Sequence, residues 1–117
     1  MEHQKKVEEL LSSLGVTANY TGFFYISAAI MLCMEHPEQL TMITKQLYPE
    51  VARQYKTNWR AVERNIRTAG CVIWRENHPL LEKLARRPLA KKPCNAQLLA
   101  ILSSGLRSME PEETALR

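Results

Sequence analysis

Apolar residues recur along most of this chain at the three-to-four-residue spacing of an α-helix, broken by short polar or Gly/Pro-containing connectors. Val7, Leu10, Leu11 and Leu14 form one stripe with Glu and Lys opposite, and Gly15 follows where a helix would close, which predicts a first helix over residues 2–14. Residues 22–34 (GFFYISAAIMLCM) are too apolar for a surface helix and predict a central buried one, with Phe23, Phe24 and Tyr25 in the core. After His36-Pro37, a helix over 38–47 would turn Leu40, Ile43 and Leu47 inward. Pro49 then opens a short segment over 50–55 with Val51, Ala52 and Tyr55 inward. The longest periodic stretch is 58–75 (NWRAVERNIRTAGCVIWR), where Val62, Ile66, Ala69 and Ile73 share a stripe with Trp59 beside it. Asn77-His78-Pro79 stops that helix, and a short one follows over 79–86 with Leu80, Leu81 and Leu84. Asn95 is expected to cap a last helix whose Leu98, Leu99, Ile101, Leu102 and Leu106 cover more of its circumference than one core-facing stripe requires.

This pattern predicts a single all-α domain over residues 1–117, ending in an acidic tail at about 108–117. A hydrophobic fraction of 45% and only four Gly fit a packed helical fold. No run of about 18 apolar residues exists and the N-terminus lacks the apolar core of a signal peptide, so no membrane association and a cytoplasmic location are expected. Three widely spaced cysteines, Cys33, Cys71 and Cys94, suit a reducing compartment and ordinary semi-buried thiols, with no metal site expected. The chain contains no Asp, no phosphate-cradling Gly-rich loop and no nucleophile elbow, so no enzymatic activity and no cofactor are expected.

Charge sharpens the picture. From Lys45 to Lys92 there are 12 Lys/Arg against 4 Glu, a net +8, while the remainder carries 4 against 8, a net −4. Basic charge clustered in this way is the footprint of a nucleic-acid-binding surface. Within it, Arg60, Glu63, Arg64 and Arg67 recur at helical spacing opposite the Val62/Ile66 stripe and are candidate base-reading residues. The competing explanation is a plain solvated face, the more common fate of such a stripe. Lys56, Thr57 and Asn58 supply turn and cap chemistry before the helix, and with Lys91 and Lys92 of the basic loop are candidate phosphate-binding residues. Ala52, ten positions before Val62, suits a helix-turn-helix over about 48–75, in which a small residue allows close crossing. Many such turns carry Gly where Lys56 stands, which points to a longer or differently shaped turn here.

The stretch from Ile43 to Trp74 resembles the DNA-binding effector domain of the stage-zero sporulation protein A family of response regulators. The resemblance rests on ITK-x-LYP-x-V-A at 43–52, VER-x-IR at 62–67 and KP-x-N at Lys92, Pro93 and Asn95, and it runs over about residues 10–106. It implies six helices, with the fourth entering the major groove of guanine-containing boxes. It also implies Glu63, Arg64 and Arg67 facing bases or neighbouring phosphates and Lys92 touching backbone. Expected partners are double-stranded DNA, a second copy through the last helix on tandem sites, and an RNA polymerase sigma factor. A chain starting at Met1 without Asp is further expected to lack the family's phosphoreceiver domain. It would then be a constitutive or partner-controlled effector, or an antagonist. The alternative function is a protein-interaction module that heterodimerises with a full-length regulator.

Overall fold

The computed structural model describes residues 2–108; the expected acidic tail lies outside the described residues, apart from Ser108. Among these, five α-helices carry the fold: α1 (Glu2–Ser13), α2 (Thr21–Glu35), α3 (Tyr48–Gln54), α4 (Trp59–Ala85) and α5 (Asn95–Ser108). The all-α class expected from periodicity holds. α2 lies at the centre, packed against α1, α3, α4 and α5, and buries Phe23, Ile26, Ala29, Ile30 and Cys33. Its approach to α4 depends on Gly22, where a Cβ would stand 2.5 Å from the Asn65 carbonyl oxygen. Gly15 closes α1 at φ 100°, and the Val16 amide donates to the Leu11 carbonyl.

The break expected near Pro79 is a kink that divides α4 into two helical arms, and the described residues hold five α-helices with those arms counted as one. Asn77 takes non-helical angles (φ −158°, ψ 54°), its Nδ2 donating to the Ser13 carbonyl and its Oδ1 accepting from the Leu80 amide. Pro79 has no N–H to offer, so the bend costs little backbone hydrogen bonding, and the expected short helix is the far arm of α4.

The single helix expected over 38–47 does not form. It divides into a 3-10 turn (Pro37–Thr41) and a wider π turn (Ile43–Leu47), separated by Met42 at φ −137°. The Thr41 hydroxyl donates to the Glu38 carbonyl, the acceptor an α-helix would offer Met42, and the Met42 amide donates to Gln39 instead.

Three aromatic residues expected inside lie at the surface. Phe24 is 43% exposed, Tyr55 42% and Trp59 40%, whereas Phe23 is buried and Tyr25 half-buried. The last helix departs in the opposite sense. Leu98, Leu99, Ile101, Leu102 and Leu106 are all at most 8% exposed, since α2 and α4 cover α5 from two sides. The apolar face from which pairing of two copies, or heterodimerisation, was expected is therefore core in one chain.

Candidate nucleic-acid interface

α4 is anchored from behind. Val62, Ile66, Ala69 and Ile73 are at most 1% exposed, which fixes the rotation of the helix and sets its opposite arc outward. Asn58 starts the helix as expected, its Oδ1 accepting from the Ala61 amide at 2.9 Å in the extended backbone conformation of an N-cap.

The turn before it is tight rather than lengthened. Lys56 takes the left-handed conformation (φ 54°) that Gly commonly supplies, and the Thr57 amide donates back to the Ala52 carbonyl at 2.9 Å. Ala52 is buried beneath the turn, where α3 packs on α4. Lys56 and Asn58 are exposed and Thr57 half-buried at the amino end of α4, where unpaired amides and the helix dipole favour anions.

On the outward arc, at 100° per residue, Arg60, Glu63, Arg64 and Arg67 fall within about 100° of one another. The three arginines are exposed and Glu63 is partly covered. Each side chain has a different setting. The Arg60 guanidinium lies 5.4 Å from the Trp59 ring centroid, a cation–π contact between two exposed side chains. Arg67 pairs with Glu63 one turn before it. Arg64 has no ion-pair partner among the described residues.

The structure brings Glu63 and Arg67 together with Lys91 and Lys92 around one open cleft of about 860 Å3. The basic loop is held against α4 rather than loose. Arg86 ends α4 in the left-handed conformation, the Leu89 amide donates to the Glu82 carboxylate at 2.9 Å, and Pro93 is buried. Arg60, Arg64, Lys56, Thr57 and Asn58 do not line the cleft; they lie along or before α4.

Asn95 does something other than capping. Its Nδ2 donates to the Tyr48 hydroxyl and to the Glu63 backbone carbonyl, both at 3.0 Å, and so joins α5, α3 and α4 beneath the cleft. The carbonyl can only accept, which identifies the amide nitrogen as the contacting atom. The first turn of α5 is served by Gln97, whose Oε1 accepts from the Cys94 amide. Burial pushes the Tyr48 phenol above its usual range, with the Asn95 hydrogen bond opposing. Sequence reading missed this strut and the Thr44, Cys94 and Gln97 walls of the cleft. The KP-x-N motif flagged Asn95 without revealing its partners. Cys71 and Cys94 are exposed rather than semi-buried, and only Cys33 is enclosed.

Among the described residues, no helix is long and apolar enough to cross a membrane. Comparison with known families finds that the model described as sporulation initiation factor Spo0A C terminal matches residues 7–106, nearly the whole chain.

Proposed function

The chain belongs to the Spo0A C-terminal family of DNA-binding sporulation regulators, and from that premise we propose that it binds duplex DNA sequence-specifically through a helix-turn-helix formed by α3 and α4. α4 enters the major groove. Arg64 and Arg67 offer guanidinium forks to the O6 and N7 acceptors of guanine, Arg60 reads beside them, and Glu63 orients Arg67 or accepts from a cytosine amino group. Lys56, Thr57 and Asn58 hold phosphates at the amino end of α4, and Lys91 and Lys92 hold them across the cleft.

The observation that carries this reading is the outward arginine arc of α4, rigidly backed by a buried stripe and faced by two lysines of a pinned loop. A surface that was merely solvated would not require that loop to be fastened beside the arc. No observation favours the interaction-module alternative, since the α5 leucines that motivated it are buried. The 117 residues contain no Asp, so whatever tunes DNA binding within them is not an aspartyl phosphate.

A fluorescence titration of a guanine-containing box against a scrambled duplex, at two salt concentrations, tests the reading. The box is expected to bind at least about tenfold more tightly than the scrambled duplex at the higher salt, where phosphate attraction is weakened. Equal affinity for both would reduce the arc to nonspecific electrostatics.

A further inference from the structure

Among the described residues, the large apolar side chains left exposed are Phe24, Met42, Tyr55 and Trp59, and of these Trp59 is the one on α4, at its first position. The rings of Phe24 and Tyr55 make edge contacts with Phe23 and Tyr25 of their own chain. The Trp59 ring is met instead by the guanidinium of Arg60, one of the candidate base readers.

Its place on the helix decides what it can touch. At 100° per residue, Trp59 lies about 40° from Glu63 and about 80° from Arg67, at the edge of the outward arc and one turn before Glu63. Asn58 caps the helix immediately before it, so the ring is carried by the first turn. In a helix-turn-helix the amino-terminal residues of the second helix are those that reach base edges. The floor of the major groove offers hydrogen-bonding atoms at every base pair but one main apolar group, the C5-methyl of thymine. An apolar ring brought to that floor therefore gains more burial at thymine than at any other base.

We propose that Trp59 is a specificity-determining residue that packs on a thymine methyl group close to the base pair faced by Arg60. The inference rests on the DNA-binding reading of α4 and adds to it a base that the arginine forks do not select. The guanidinium and the ring centroid are 5.4 Å apart, against a rise of about 3.4 Å per base pair, which places the thymine within about two base pairs of the base that Arg60 reads. The cation–π contact sets ring and guanidinium side by side before DNA arrives, so less side-chain freedom is lost on binding.

The test measures binding of the full chain to the preferred guanine-containing box with each thymine in turn replaced by uracil, which removes the methyl group and keeps the base pairing. One position is expected to lose about fourfold in affinity, the worth of a single buried methyl-sized group. In Trp59→Ala the same replacement should cost nothing, and in Trp59→Phe most of the loss should remain. Because the ring carries no charge, Trp59→Ala should leave the slope of log affinity against log salt unchanged. No uracil effect in the wild type, an undiminished effect in Trp59→Ala, or a changed salt slope would overturn the inference. A box bound no better than scrambled duplex would remove the DNA-binding reading and this inference with it, whereas a preferred box indifferent to its methyl groups removes this inference alone.

Discussion

At φ 54°, Lys56 holds a backbone conformation that costs a residue with a Cβ roughly 1 kcal/mol relative to Gly. Lys56 is also one of the proposed phosphate contacts, so its replacement by Gly exchanges a charge for an easier backbone. Lys56→Gly is therefore expected to raise the unfolding free energy in urea denaturation by up to about 1 kcal/mol, while lowering the slope of log DNA affinity against log salt by about 0.9. Denaturation and salt-dependent titration of the same variant check both halves; an unchanged slope would remove Lys56 from the phosphate contacts. Arg64 differs from Arg67 in having no ion-pair partner among the described residues, so its fork is available without breaking a pair. Arg64→Ala should weaken binding to the preferred box by about 1–3 kcal/mol and affect random duplex much less. A loss of equal size on both would reassign Arg64 to the backbone.

At the scale of elements, the cleft depends on α5, α3 and α4 keeping their spacing, and Asn95 is the side chain that touches all three. Asn95→Ala removes two hydrogen bonds at about 1 kcal/mol each, so a stability loss of about 1–2 kcal/mol is expected in chemical denaturation. Tyr48→Phe, which deletes one of the two, should cost about half as much. The basic loop tests separately, because its fastening at Glu82 and Pro93 does not involve its lysines. Lys91→Ala with Lys92→Ala should leave stability nearly unchanged, weaken all duplexes alike, and lower the salt slope by about 0.9 per lost contact. An unaltered slope would turn the loop towards solvent or another protein.

For the whole molecule, the buried acids set an alkaline limit. Burial pushes the Cys33 thiol from 9.0 up to about 11, with the Arg107 charge partly opposing, and the Tyr48 phenol is also pushed up by burial. In the unfolded chain the Cys33 thiol ionises near its ordinary value, whereas the folded protein retains the proton until about pH 11. Between those values the unfolded state binds fewer protons, so stability is full below about pH 9 and falls as pH rises towards 11. Urea midpoints measured from about pH 8 to about pH 10.5 should decline, and the decline should be shallower in Cys33→Ala. A flat profile in the wild type would mean that neither group is held as described. The same packing carries Arg107, whose Nη2 donates to the Cys33 carbonyl at 3.0 Å and ties the end of α5 to α2.

What the amino-acid order determined alone was local. Each of the five helices lies where apolar spacing predicted one, Asn58 and Gly15 do at helix ends what their types suggest, and the arginine arc of α4 follows from its buried stripe. Even Asn77 was legible as an interruption, though not as a bend stabilised by the distant Ser13 carbonyl. What only the tertiary structure decided was which apolar side chains find cover. Phe24, Tyr55 and Trp59 remain about two-fifths exposed, whereas the α5 leucines lie inside because α2 and α4 pack on that helix. The cleft is of the same kind. Asn95 meets Glu63 and Tyr48 across 32 and 47 positions, and Lys91 and Lys92 face Arg67 only because the loop is fastened to α4. Periodicity reports a residue's angle about its own helix axis, whereas burial and contact depend on how separate helices pack, and that is set by the core as a whole.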